Sequence, residues 1–240
     1  MRDAVDRPLF GAELLPVSRT HPAREVRIRY RGEELVLAPT LLTDVETIAS
    51  AVNASVHELR RFMPWAHHTP SPHSTIDRLR RCEADYFAGK EFVMGLFRER
   101  PGAPRELLTG IGLHPRVALN PSALEVGYWT ATPHARRGYA TLAVRCATVY
   151  AFDKFGATRV QVMCDEANTA SRGVIEKCGF AFEGVLRNLT TDPDPAHRAA
   201  GLIHTGRCRM YALFPDTFAA VPWAAEARAG MRYANLLGYE

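Results

Sequence analysis

Cysteine is scarce in this chain and shows no paired spacing. Five cysteines occur in 240 residues, and no two of them stand in a CxxC-like arrangement. An odd count without close pairs argues against a disulfide framework and against a structural zinc site. Free thiols that act as small buried hydrophobic groups in a reducing compartment fit the pattern better. The five are Cys82, Cys146, Cys164, Cys178 and Cys208.

Long apolar runs and a strong net charge are also missing. No apolar stretch approaches the ~20 residues that a membrane-spanning helix needs. Residues 1–10 carry Arg2, Asp3, Asp6 and Arg7 where a signal peptide would have an apolar core. The net charge of +4 is too weak to indicate nucleic-acid binding, although it is compatible with an anionic ligand. The sequence therefore predicts a cytoplasmic protein without a membrane or nucleic-acid partner.

The order of patterns along the chain predicts one α/β (α+β) domain with a mixed sheet. Residues 1–24 contain prolines and no clear period, and we interpret them as an N-terminal arm. Apolar and polar residues alternate from Glu25, which predicts a half-buried strand that turns at Gly32 into a hairpin. Strands alternate with helices in the second half of the chain. We assign residues 25–214 to the domain and residues 215–240 to a C-terminal tail.

Local signals place the elements within this domain. Thr43-Asp44-Val45-Glu46 and Ser74-Thr75-Ile76-Asp77 resemble capping boxes, so each predicts the start of a helix. Residues 91–130 are expected to form an antiparallel meander of strands. Helices over residues 141–155 and 168–178 are expected to lie on the sheet that continues from it, with strand 158–164 beside the strand that carries Trp129.

A glycine-containing loop before the first of these helices has the features of an anion site. Gly138 permits a positive φ and a close approach of the backbone, and the neighbouring Ala140 is small. Together they would leave N–H groups free at a helix N-terminus, where phosphate oxygens bind well. Arg136 and Arg137 add positive charge. The alternative interpretation is a tight turn with a solvated pair of arginines.

A second segment begins another helix one strand later. Asn168 stands where it can cap the helix, which is its alternative, purely structural role. Gly179 is a natural helix C-cap, and Phe180 returns the chain to the core.

Taken together, these segments resemble the GNAT superfamily of N-acetyltransferases, and within it the RimJ/RimL-type branch. Arg-Arg-Gly-Tyr-Ala-Thr at 136–141 is similar to the family's acetyl-CoA pyrophosphate loop, and the pattern from Asn168 to Phe180 is similar to the helix that follows. Residues 125–129 and 60–65 resemble the branch's central strand and substrate-side helix end. Three features depart from the family pattern: Ala135 replaces Gln or Arg, and Ile175 replaces a Tyr that many members use as a general acid. The third is on the last strand, where the branch's usual Asp is replaced around Arg207, after a segment, residues 190–201, that is longer than usual.

The resemblance implies a mixed, mostly antiparallel central sheet with splayed central strands and flanking helices. It implies acetyl-CoA as cosubstrate, no metal, and an amine acceptor, either a small molecule or a protein N-terminus. It also implies backbone N–H groups near Trp129 and Thr130 that face the thioester carbonyl. The residues assigned to the cosubstrate are Trp129, Thr130, Arg136, Arg137, Gly138, Tyr139, Ala140, Thr141 and Asn168.

The resemblance identifies the proton-transfer groups less directly. Ser171 is the candidate that protonates the departing thiolate, the alternative being an ordinary first-turn residue of a helix. Glu125 is a candidate base on the central strand, Asp165 and Glu166 are further candidates, and each has a solvated carboxylate as its alternative. Trp65, His67 and His68, with His73 nearby, are assigned to the acceptor side, where a histidine would bind substrate or act as base. Water is a further route for the proton.

The expected function is therefore acyl-CoA-dependent N-acyltransfer, most simply of an acetyl group, by direct transfer in a ternary complex. Two other classes stay open at this stage: a catalytically idle CoA-binding module, and a basic adaptor for protein or nucleic acid that uses the fold as a scaffold. A homodimer is expected if Trp223 and Tyr233 of the tail are covered by another subunit.

Overall fold

A nine-stranded sheet organises the chain, and its strand order is β7-β8-β6-β5-β4-β3-β2-β1-β9 in a computed structural model. The structure describes residues 18, 20, 22–66, 71–115, 120–189 and 205–234. The strands are β1 (Glu25–Tyr30), β2 (Glu33–Pro39), β3 (Phe92–Arg98), β4 (Glu106–His114), β5 (Ala123–Thr130), β6 (Arg159–Asp165), β7 (Ala181–Arg187), β8 (Arg207–Leu213) and β9 (Met231–Ala234).

The helices lie on both faces of this sheet. They are α1 (Val45–Asn53), α2 (Val56–Arg60), α3 (Pro72–Phe87), α4 (Tyr139–Val149), α5 (Thr169–Lys177), α6 (Pro215–Ala219) and α7 (Ala224–Ala229). A π-helical turn over Tyr150–Lys154 extends α4. Helices α1 to α3 cover one face through Ile48, Leu59 and Leu79, and α4 covers the other through residues such as Val144 and Ala147.

The sheet is antiparallel except at its centre, where β5 and β6 run parallel. Their pairing is limited to Ala123–Glu125 of β5 against Arg159–Gln161 of β6. Beyond these residues the two strands separate, so the expected splayed central strands are confirmed. The meander β3-β4-β5 is confirmed as well. A parallel pair needs a crossover, and α4 supplies it. The consequence is a gap in the middle of the sheet, next to the N-terminus of α4.

Both capping-box predictions are wrong about the capping residue. Helix α1 is preceded by a 3-10 turn, and the carboxylate of Asp44 instead accepts from the Leu41 N–H at 2.8 Å and pairs with Arg105. Helix α3 begins at Pro72, earlier than predicted, because the Ser71 hydroxyl accepts from the Ser74 N–H at 3.1 Å. A serine cap followed by proline at the first helical position is a stronger start signal than the box downstream.

We expect Ser71→Ala to lower the free energy of unfolding by about 1 kcal/mol, since one N–H in the first turn of α3 loses its acceptor. Ser71→Asp supplies another acceptor and serves as the matched control. Chemical denaturation of the three proteins measures the difference. Equal midpoints for the serine and alanine proteins would show that the cap contributes nothing.

The C-terminal segment forms part of the sheet and of its core. Strand β9 pairs antiparallel with β1, with Tyr233 opposite Val26. The side chains of Phe218, Trp223 and Tyr233 are buried in the same hydrophobic cluster as α4. Residues 215–234 therefore complete the fold, although we set them apart as a tail. The chain itself covers Trp223 and Tyr233, so they no longer give a reason to expect a second subunit.

Candidate active site

A cavity of about 630 Å³ opens where β5 and β6 separate. It crosses the sheet from the side of α3 to the start of α5. Its lining includes Trp65, His114, Glu125, Tyr128, Trp129 and Ser171. Successive residues of a strand point to opposite faces, so Trp129 packs under the α1–α3 layer while Tyr128 packs towards α4 and α5. The cavity can therefore receive one molecule from each side of the sheet.

The loop before α4 leaves a set of backbone donors unused. Gly138 precedes the helix with φ +89°, and Arg136 also has a positive φ of +61°. The backbone N–H groups of residues 136–141 form no hydrogen bond with any described residue. Adjacent N–H groups in such a turn, together with a helix N-terminus, make a concave site for phosphate oxygens. The side chains of Arg136 and Arg137 are exposed beside it, so the residues present fit a pyrophosphate.

A network of polar side chains centred on Arg98 contacts the first turn of α4, just after this loop. The Tyr139 hydroxyl accepts from Arg98 at 2.6 Å, and Arg98 also pairs with Glu33 and Glu106. A Cβ atom on Gly138 would lie 2.6 Å from the Tyr30 hydroxyl. The first turn of α4 is thus held by partly buried partners, Arg98 and Tyr30, and Gly138 is the position where both φ and the available space require glycine. Of the other residues assigned to the cosubstrate, Ala140 and Thr141 are partly buried in this turn.

The central strand directs part of its backbone into the gap. The Ala131 N–H donates to the Leu108 carbonyl at 3.1 Å, on the β4 side. Because the direction of N–H groups alternates along an antiparallel strand, the Thr130 and Tyr128 N–H groups point towards the β6 side, where β6 no longer pairs. The Trp129 side chain lies over Gly110 and meets Trp65 with ring centroids 6.0 Å apart. These two tryptophans form an aromatic wall on the face of the sheet that α1 to α3 cover.

The start of α5 brings two hydroxyl groups together. Asn168 caps the helix, its Oδ1 accepting from the Ser171 N–H at 3.1 Å, while its Nδ2 forms no hydrogen bond with a described residue. The Ser171 hydroxyl lies 2.8 Å from the Tyr128 hydroxyl, which is also 3.1 Å from the Ser171 carbonyl oxygen. Burial raises the pKa of Tyr128 well above its ordinary value, against the opposing effect of the Ser171 hydrogen bond. The phenol is therefore protonated at neutral pH and can donate. Ile175, one turn later, is buried in the core.

The carboxylates near the gap divide into two groups. Asp165 accepts from the Thr205 N–H at 2.6 Å, and Glu166 pairs with Arg207 and Arg209. These contacts tie β6 to the start of β8, and they give both side chains a structural role. Glu125 lines the cavity and accepts from Gln161 at 3.1 Å.

Of the three histidines assigned to the acceptor side or near it, only His73 is among the described residues. His67 and His68 lie outside the described residues. His73 is on α3, exposed, with its Nε2 3.3 Å from Asp77. Trp65 does line the cavity, as expected for a substrate contact.

Three thiols line the same cavity: Cys82, Cys164 and Cys208. Burial raises the pKa of Cys164 to about 11, and it raises the pKa of Cys82 and Cys208 as well. The reactive form of a cysteine is the thiolate, so these thiols are poor nucleophiles at neutral pH.

Sequence reasoning missed Tyr128, Glu91 and His114. Tyr128 was quoted only as part of the central-strand pattern, although strand alternation places it on the face opposite Glu125 and Trp129. His114 is the polar residue at the C-terminal end of β4, after Ile111, Gly112 and Leu113, and it lies opposite Glu125 in the β4–β5 register. A polar residue at that point was the available signal, whereas its partner Glu91 could not be identified without the fold.

The chain belongs to a known family. Residues 34–181 match the model of the acetyltransferase (GNAT) domain, which contains β2 to β6, the loop before α4 and all of α5. The chain is 34% identical over 83 residues to the uncharacterized N-acetyltransferase YoaA of Bacillus subtilis (strain 168), a match that covers 35% of this chain and 46% of that protein. The chain thus spans about half the length of the curated relatives it matches.

Solved structures share the fold over most of their length. RimJ of Mycobacterium smegmatis, in complex with CoA-disulfide, superposes with a TM-score of 0.65 at 18% identity, covering 86% of this chain and 95% of that one. RimL, a ribosomal alpha-N-protein acetyltransferase in complex with Coenzyme A, gives a TM-score of 0.63 at 18% identity, with 80% and 99% coverage. These likenesses confirm the fold.

The part of the chain that the structure describes lacks two features. No cluster of three or more His, Cys, Asp or Glu side chains suited to a metal ion occurs there. In the same part of the chain, no helix is both long and apolar enough to cross a bilayer.

Proposed function

We propose that this protein transfers an acetyl group from acetyl-CoA to a primary amine. The observation that carries the proposal is the run of unused N–H groups at 136–141 beside the gap between β5 and β6. A pyrophosphate on this loop would direct the rest of the cosubstrate along the splayed strands. Trp129, Thr130 and Asn168 would line its path, and acetyl-CoA would supply the activated acyl group.

The chain's own groups would then act on the reacting atoms. The Thr130 N–H would donate to the carbonyl oxygen as it gains negative charge. Ser171 would deliver a proton to the sulfur as the C–S bond breaks. Tyr128, hydrogen-bonded to the Ser171 hydroxyl, would support that donation. The aromatic wall of Trp65 and Trp129 would hold the acceptor at the opposite mouth, which is largely a matter of orientation.

We propose direct transfer in a ternary complex and not transfer through an acyl-cysteine. The cavity is open to both faces of the sheet, so the two substrates can be bound together. The three thiols in the cavity have raised pKa values, which makes a covalent route through them unfavourable. The kinetic expectation is intersecting rather than parallel double-reciprocal plots.

The acceptor class is an amine that enters as a cation. Glu91, Glu125, Asp85 and Asp165 line the cavity with Arg78 and Arg81 as the opposing charges, so carboxylates outnumber the arginines. The named relatives include alpha-N-protein acetyltransferases, which supports a protein N-terminus. A small-molecule amine is the second candidate. The cytoplasmic location and the lack of a nucleic-acid partner stay predictions, and the homodimer stays untested without Trp223 and Tyr233 as its reason.

The deciding experiment is turnover of acetyl-CoA with a panel of amines. We would use peptides with a free α-amino group, the same peptides blocked at that group, spermidine, an aminoglycoside and amino-acid amides. Thiol release and mass spectrometry should show acetylation of at least one free amine, and none of its blocked counterpart. Binding of CoA without transfer to any amine would instead favour the idle CoA-binding module.

A further inference from the structure

A histidine–carboxylate pair lies at the edge of the cavity, apart from the hydroxyl pair at α5. The Nδ1 atom of His114, at the end of β4, is 2.6 Å from the Glu91 carboxylate just before β3. The His114 side chain is 16% exposed. A carboxylate acceptor at this distance fixes the neutral imidazole with its proton on Nδ1. The lone pair is then on Nε2.

The other ring nitrogen, Nε2, lies against the backbone of two glycines. Gly112 and Gly127 are directly paired across β4 and β5. A Cβ atom on Gly112 would collide with Nε2, and one on Gly127 would lie 3.2 Å from it. Glycine at both positions therefore makes the space that the imidazole occupies. Nε2 has no hydrogen-bond partner among the described residues, and both glycines line the cavity with it.

The His114–Glu91 pair lies on the same face of the sheet as the aromatic wall of Trp65 and Trp129. Residues directly opposite in an antiparallel pair point to the same side, so His114 and Glu125 face the cavity together. Further along the same face of β5 come Gly127 and then Trp129. Two residues of a strand span about 7 Å, so the imidazole beside Gly127 lies about that far along the strand from the backbone at Trp129.

We propose that His114, oriented by Glu91, is the base that takes the proton from the acceptor's ammonium group. The proposal rests on the proposed acetyl transfer and assigns its missing base. Nε2 accepts one proton, and Glu91 stabilises the imidazolium, which later releases that proton to solvent. The freed amine forms the N–C bond as the C–S bond breaks. The nitrogen loses its second proton as the amide forms, and that proton passes through water to the Ser171 oxygen, replacing the proton that the Ser171 hydroxyl delivers to sulfur. Glu125 has the separate role of attracting the ammonium.

The first test compares three variants with the amine that wild type acetylates fastest in the panel. His114→Gln should lower the limiting rate by about 100-fold at pH 7, within the range of general-base catalysis, and Glu91→Gln by about 10-fold. Glu125→Gln should mainly raise the Michaelis constant. CoA affinity should be unchanged in all three. His57→Gln, at an exposed histidine of α2 that does not line the cavity, is the matched control and should behave as wild type.

The pH profile separates a base from a merely structural side chain. A base acts in its unprotonated form, so the rate in wild type should rise with pH, and in His114→Gln this rise should be absent. The charged and titratable groups that share the cavity with His114 are Glu91 and Glu125 on the sheet, Asp165 at the end of β6, Arg78, Arg81 and Asp85 on α3, and the tyrosine and thiols already named. If Glu125→Gln instead removes the rise while His114→Gln keeps it, Glu125 is the base and the proposal is wrong.

A measurement without turnover completes the test. The ¹⁵N shifts of the imidazole in the full-length protein should report a proton on Nδ1 and a free lone pair on Nε2. The opposite tautomer in wild type would overturn the assignment, even if a variant fails to fold. Failure of wild type to acetylate any amine overturns the proposed function and this inference together. Acetylation by wild type with an unaffected His114→Gln overturns the inference alone.

Discussion

Ser171→Ala is expected to lower the limiting rate of acetyl transfer by about 100-fold, the lower part of the general-acid range. The CoA thiolate is a fair leaving group, so assistance to it need not be large. CoA affinity should change little, because the loop at 136–141 and Asn168 are untouched. The rate should therefore fall more than the Michaelis constant rises. Stopped-flow or steady-state thiol release with the true amine acceptor measures both.

Tyr128→Phe tests the partner hydroxyl of the same pair. Removing the phenol leaves Ser171 in place without its neighbour at 2.8 Å, and we expect a loss of about 10-fold. Groups that act as one unit give non-additive losses, so the double variant should be scarcely slower than Ser171→Ala. Thr169→Ala removes an exposed hydroxyl from the same helical turn and should have no effect. Full turnover by Ser171→Ala, with the chemical step limiting, would make Ser171 an ordinary helix residue and water the proton source.

Gly138→Val is expected to weaken CoA binding by at least 10-fold, which corresponds to about 1.4 kcal/mol. Two physical effects combine there. The φ of +89° is unfavourable for a β-branched residue, and the new Cβ would meet the Tyr30 hydroxyl at 2.6 Å. A change in φ, or a shift of the backbone away from Tyr30, moves the N–H groups of residues 136–141 out of their present arrangement. Isothermal calorimetry with CoA gives the affinity directly.

The control for this variant carries the same backbone strain elsewhere. Gly156, after the π-helical turn, has φ +62° and open space where a Cβ would stand. Gly156→Val should therefore destabilise the protein without changing CoA affinity. If a folded Gly138→Val protein binds CoA as tightly as wild type, the loop is not the pyrophosphate site. Equal losses of affinity in both variants would show a general effect of destabilisation.

The proposed proton-transfer groups differ in whether the sequence alone identifies them. Ser171 and Glu125 were found from their places in local patterns, and both line the cavity. Tyr128 and His114 were not, because their importance depends on partners that are distant in sequence. His114 meets Glu91 across 23 residues, and Tyr128 meets Ser171 across 43. Contacts between such distant residues depend on strand register, which a local sequence pattern does not define.

The sequence by itself determined the order of the elements, the hairpin at Gly32, the loop at Gly138 and the cap at Asn168. Each is a short-range consequence of backbone conformation: the turn at Arg31 and Gly32 has φ values of +49° and +83°, and Asn168 bonds three residues ahead. The tertiary structure decided the rest. The start of α1 depends on Arg105, 61 residues from Asp44, and β9 finds β1 at the opposite end of the chain. The physical reason is that these partners are far apart in sequence. Apolar burial brings the chain together without direction, so the ion pair and the strand pair are selected only when the whole sheet has formed.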